Sequence, residues 1–69
     1  MYDLWIAAKR CELLENLADL KIQFYTLLKD SANPAATAEE RTTAKRQADK
    51  VGIQMFKLET ENEHILKNT

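Results

Sequence analysis

The side chains best suited to nucleophilic or general-base chemistry near neutral pH are Cys11 and His64, and each residue type occurs once in the 69 residues. A general base needs an oriented partner, and no Ser or Cys stands where sequence logic would make it the nucleophile for His64. One Cys with one His makes neither an internal disulfide nor a closed zinc site. Glu61 and Glu63 project to different sides of a helix, so they form no acid/base dyad. The single glycine, Gly52, leaves no phosphate-cradling loop. These residues predict no catalytic group, no metal and no cofactor. The expectation is a protein that binds rather than an enzyme.

Binding chemistry is better represented. Arg41, Lys45, Arg46 and Lys50 cluster against a single Asp49, whereas Glu59, Glu61 and Glu63 follow with no basic residue among them. A solvated helix surface is the ordinary meaning of such runs. Read functionally, the basic stripe would hold phosphate, so an RNA- or DNA-binding helical bundle is one alternative. It ranks second, because the formal net charge is −1 and no aromatic side chains interleave with the basic ones. The two charged runs would also attract one another across an antiparallel helix-two contact centred near Gly52.

Aromatic and Arg side chains dominate binding hot spots, which singles out Tyr2, Trp5, Tyr25 and Arg41. Trp5 has a structural alternative, packing over Ile65 and Leu66. Ile53 and Phe56 make an outward apolar patch beside Gly52. A helical glycine costs about 1 kcal/mol relative to Ala, and close approach of another backbone would explain it. The partner-binding candidates are therefore Tyr2, Trp5, Tyr25, Arg41, Arg46, Ile53 and Phe56.

The elements that must carry these residues are helices. Apolar residues make up 45% of the chain and charged residues 30%, a composition that folds rather than stays disordered. Residues 3–30 lack Gly and Pro and are rich in Leu, Ala, Glu and Lys. Turn formers gather at Asp30-Ser31-Ala32-Asn33-Pro34, and Pro34 pushes Asn33 out of the α region. Thr37 and Glu40 then read as a capping box, with Asn33 as N-cap and Pro34 at N1 as a competing start. The spacing predicts helix one over about 3–30, a turn over 31–36 and helix two over about 37–67, all in one domain. A connection this short makes the fold an all-α antiparallel two-helix hairpin.

Steps of three and four define a seam on each helix. In helix one it is Ile6, Arg10, Leu13, Leu17, Leu20, Phe24 and Leu27. In helix two it is Arg41, Ala44, Ala48, Val51, Met55, Leu58, Asn62 and Ile65. Folding at the turn sets Phe24 against Ala44, Leu20 against Ala48, Leu17 against Val51 and Leu13 against Met55. The same register brings Glu12 near Lys57, Asp19 near Lys50, Lys21 near Asp49 and Lys9 near Glu59 and Glu61. Asn62, at a core position, reads as a register-setting residue, and His64 as a surface residue.

Helix one carries a second apolar row: Leu4, Ala7, Cys11, Leu14, Ala18, Tyr25 and Leu28, with Ile22 further round. One facing helix covers one seam, and a core in so short a chain supplies only about 3–5 kcal/mol without a disulfide, metal or oligomer. The expected dimer interface is Leu4, Cys11, Leu14, Ala18, Tyr25 and Leu28, with Cys11 buried there as a small hydrophobe. It makes a homodimeric four-helix bundle.

The longest apolar run, Leu4-Trp5-Ile6-Ala7-Ala8, is far below the ~20 residues that cross a bilayer, and no signal-peptide pattern opens the chain. A cytoplasmic setting is expected, the host's if the chain is virus-encoded, with no membrane partner. The leading expectation is a small regulator or adaptor of the inhibitor, co-chaperone or host-modulator type that binds another protein. A structural coiled-coil oligomerisation module is the remaining alternative.

Overall fold

The computed structural model describes residues 2–67, with side chains from residue 3. Helix α1 spans Tyr2–Ser31, α2 spans Ala38–Glu61 and a single turn, α3, spans Glu63–Leu66. No strand occurs among the described residues. The two long helices pack side by side as the arms of a hairpin, giving a rod with extents of 53 × 16 × 13 Å.

Helix α1 closes on Ser31, whose hydroxyl donates to the Leu28 carbonyl at 2.7 Å. The chain then reverses through Asn33-Pro34-Ala35-Ala36. The Asn33 side-chain oxygen accepts from the Ala35 N–H, and its carbonyl accepts from the Ala36 N–H. Asn33 thus starts a turn, and the competing helix start does not form. Thr37 is the N-cap of α2: its hydroxyl oxygen accepts from the Glu40 N–H at 3.1 Å and its O–H donates to the Glu40 carboxylate at 3.1 Å. The helix-two start therefore lies within a residue of the expected one.

Its end does not. Helix two breaks at Asn62, where φ −117° and ψ 22° leave the helical region. The Asn62 side-chain amide donates to the Leu58 carbonyl at 2.9 Å, the same oxygen that accepts from the Asn62 N–H. An Asn that bonds its own backbone competes with helix propagation, so Asn62 acts as a terminator with a one-turn sequel.

Of the expected seam, Ile6, Leu13, Ala44, Ala48, Val51 and Ile65 are buried, and Leu17, Leu20, Phe24, Leu27, Met55 and Leu58 are half-buried. Arg41 is exposed. The register is displaced from the expected one: Phe24 lies over Gly52, where a Cβ would sit 3.5 Å from the ring, instead of meeting Ala44. Ile6 and Leu13 cluster with Ile65. Helical side chains lean toward their own N-terminus, so in an antiparallel hairpin the α1 side chains reach further toward the C-terminal end of α2 than numbering alone indicates. Large still faces small, with Ala48 fully buried.

Gly52 consequently faces the hairpin's own aromatic ring rather than a foreign backbone. The expected interhelix ion pairs are also absent. Among the described residues the pairs are Lys9–Glu12, Lys45–Asp49 and Lys67–Glu63, each within a helix or its final turn. An exposed cation three or four residues from a carboxylate reaches it without spanning the groove, and such pairs contribute too little to govern packing.

Two substitutions test the packing in opposite directions. Gly52→Ala meets Phe24 at ordinary van der Waals distance and should raise stability by about 0.5–1 kcal/mol through helix propensity. Ala48→Leu should lower it by about 1–3 kcal/mol by wedging the helices apart. Urea denaturation of both variants would check this; a destabilising Gly52→Ala would show that something other than Phe24 needs that space.

Candidate interaction surface

The apolar rows of α1 diverge around its circumference. One side carries the seam to α2. The other carries Leu4, Ala7, Cys11, Leu14, Ala18, Ile22 and Tyr25, all exposed, with Leu4 at 73% and Ile22 at 65%. Consecutive rings bridge the two sides. Phe24 turns inward over Gly52 while Tyr25 turns outward, their centroids 5.9 Å apart at 56°. Leu28 departs from expectation, because it is already half-buried in the hairpin. Cys11, expected as a buried hydrophobe, is exposed within a single chain.

Trp5 is 56% exposed, and the cluster around Ile65 is made by Ile6, Leu13, Leu58 and Leu66 instead. On α2, Ile53 and Phe56 are exposed at 60% and 69%. The side chain of Tyr2 lies outside the described residues.

The basic residues gather in part. Arg41, Lys45 and Arg46 line a shallow open depression with Ser31, Ala38 and Thr42 at the turn end of the rod. Lys45 is tied to Asp49 at 3.2 Å, whereas Arg41, Arg46 and Lys50 make no ion pair among the described residues. A second depression at the same end is acidic, with Asp30, Glu39 and Glu40 on its rim beside Leu27 and Ala44. His64 is exposed, and no group of His, Cys, Asp and Glu able to hold a metal occurs among the described residues. No described helix is long and apolar enough to cross a membrane.

One polar contact escaped the sequence reading. The Arg10 Nε donates to the Ile65 carbonyl at 3.1 Å, the one hydrogen bond between the arms of the hairpin among the described residues. A cation at a helix C-terminus satisfies an orphan carbonyl and complements the helix dipole. The signal was available: an Arg inside an apolar seam must deliver its head group to an acceptor at the seam's end. The last turn is further fastened by Lys67, which donates to Glu63 at 2.6 Å. That hydrogen bond, then the Lys67 charge, holds the Glu63 carboxyl below its ordinary value and, reciprocally, raises Lys67.

Comparison of the chain with protein-family models, with characterised proteins and with solved structures gives no match.

Arg10→Met keeps the apolar stem and removes the donor. Amide exchange at Leu66 and Lys67 should accelerate about fivefold, the equivalent of ~1 kcal/mol for one hydrogen bond, with the middle of α2 unchanged. Equal exchange in both proteins would show that the bond does not hold the turn. Acid should act on the same turn. A depressed carboxyl contributes above its unfolded pKa, so protection of these amides should persist at neutral pH and fall as pH drops through the lowered Glu63 value. NMR titration in parallel with Glu63→Gln would reveal it.

Proposed function

We propose that this protein works by binding, as a small cytoplasmic regulator or adaptor whose hairpins pair through α1 into a homodimeric four-helix bundle and whose remaining aromatic and apolar surface engages another protein. The observation that carries this reading is the line of exposed side chains on α1, Leu4, Leu14, Ile22 and Tyr25, on a rod where no large described side chain is fully buried. Each such Leu or Ile contributes about 1.5–3 kcal/mol when removed from water, so a partner on this face adds stability on the scale of the hairpin's own core.

Surface area supports the same reading. The chain exposes 5437 Å², against about 4,450 Å² for a compact 8.0 kDa monomer. The excess of about 1,000 Å² is of the size that one partner contributes to a stable interface, about 800 Å². Ile53 and Phe56 lie on α2 away from its seam with α1, which leaves them for a second, different partner. Among the described residues no group of His, Cys, Asp and Glu able to hold a metal accompanies these surfaces, and the proposal includes no catalytic role.

A nucleic-acid role is the second reading, favoured by the convergence of Arg41, Lys45 and Arg46 on one depression. The Lys45–Asp49 pair removes part of that charge.

Sedimentation at micromolar concentration should give a dimer, and Leu14→Asp with Tyr25→Asp should give a monomer of lower stability. A wild-type chain that sediments as a stable monomer would defeat the proposal. In affinity purification from the native cytoplasm, Phe56→Ala should release a defined protein without dissociating the dimer. A salt-sensitive RNA or DNA shift abolished by Arg41→Ala with Arg46→Ala would favour the second reading instead.

A further inference from the structure

Residues 45–57 of α2 hold four Lys and Arg against one Asp, and three of those cations lie in a line. Arg46, Lys50, Ile53 and Lys57 follow steps of four, three and four, so they share the side of α2 turned away from its seam. All four are exposed, Ile53 at 60%, and Phe56, one turn from Ile53, is exposed at 69%. Arg46, Lys50 and Lys57 make no ion pair among the described residues, whereas Asp49, the acid within the span of the line, is occupied by Lys45. Glu61, one turn past Lys57, marks the end of the line. An apolar pair bordered by unpaired cations has the anatomy of an interface centre with a charged rim.

Resting on the protein-binding reading above, we infer that this side of α2 receives an acidic amphipathic helix of the partner protein, its apolar side chains on Ile53 and Phe56 and its carboxylates at Lys50 and Lys57.

Charge complementarity selects an acidic occupant and directs it to α2. The exposed row of α1 is bordered instead by Glu15 and Asp19, both exposed and neither in an ion pair among the described residues. Like charge would turn an acidic partner away from that face. Lys50 and Lys57 are seven residues apart, about 10 Å at 1.5 Å per residue, which is the separation of two carboxylates seven residues apart on a helix lying alongside. Ile53 then meets the apolar residue between them. An extended peptide has no sheet edge to join, since no strand occurs among the described residues.

Other occupants fit the line less well. Helices that lie in a membrane interface carry an apolar face along their length, and here the large apolar side chains are confined to Ile53 and Phe56, with Asp49 beside them. A phosphate backbone would meet Ile53 midway along the cations. A second copy seated antiparallel about Ile53 would bring its Lys57 beside Lys50 and the already paired Asp49.

Peptide selection tests the chemistry of the occupant. A displayed library of helical peptides would be selected on the immobilised full chain, with binders to Phe56→Ala subtracted. Enriched sequences should hold Asp or Glu seven residues apart with an apolar residue between them. Binding of a synthesised winner should weaken about tenfold in Lys50→Glu with Lys57→Glu and fall as salt is raised, while Glu15→Gln with Asp19→Asn leaves it unchanged. Circular dichroism of each variant confirms that these exposed changes leave the hairpin folded.

Phe56-dependent peptides that are neutral or basic would overturn the acidic specificity and leave the protein-binding reading standing. Recovery of no Phe56-dependent peptide would overturn this inference. Sedimentation of the chain alone, if Phe56→Ala dissociated it, would give the face to a second copy and overturn it as well. Phe56-dependent binding to vesicles of phosphatidylcholine and phosphatidylserine, or to a single-stranded oligouridylate, in place of any peptide would remove the protein-binding reading of this face together with the inference.

Discussion

Helix α1 is apolar on two sides of its circumference, and α2 is wide enough to cover one of them. The rest of the molecule follows from that mismatch. The covered side is built from Ile6, Leu13 and Phe24 against Ile65, Val51, Ala48 and Gly52, and its narrow layers let the two helices lie close. Close approach limits the area that the seam can bury. A radius of gyration of 15.7 Å, against about 11 Å for a compact domain of this length, expresses the same limitation. A partner that bound the other side in the folded form alone would add its binding free energy to folding.

Polar residues do their structural work at the ends of the rod rather than along its sides. Thr37 and Glu40 satisfy the start of α2, Ser31 and Asn33 close the turn, and Asn62 and Arg10 terminate the far end. Thr37, Asn33 and Arg10 each supply a donor or acceptor to a backbone group that the helices leave unpaired, whereas Ser31 and Asn62 donate to the Leu28 and Leu58 carbonyls, which also accept a backbone N–H. The sides are governed by shape, and their ion pairs stay local to one helix.

Much of this was legible from residue order. Helical periodicity, the turn at Asn33-Pro34 and the cap at Thr37 are local properties, set by dihedral preferences and by bonds that reach no further than four residues. The seam was equally readable, because steps of three and four place side chains on one face whatever lies opposite. The unsatisfied second row on α1 followed from the same count, and in the folded chain its members remain exposed, Leu28 excepted.

What the sequence could not determine was how the two arms slide past one another. Register depends on the tilt of side chains along each helix and on the shape of the Ala32–Thr37 connection, and neither is a property of any single window of residues. That is why Phe24 rests on Gly52 rather than Ala44, and why a glycine that looked like an opening for another chain is filled from within. Arg10 and Asn62 changed meaning for a related reason. A polar residue at a seam position has several acceptors in reach on paper, and only the packed arms decide that Arg10 finds the Ile65 carbonyl while Asn62 turns back to Leu58. Local chemistry therefore determined the elements and their apolar faces, and tertiary packing alone decided which faces met, because register is fixed by contacts between residues far apart in the chain.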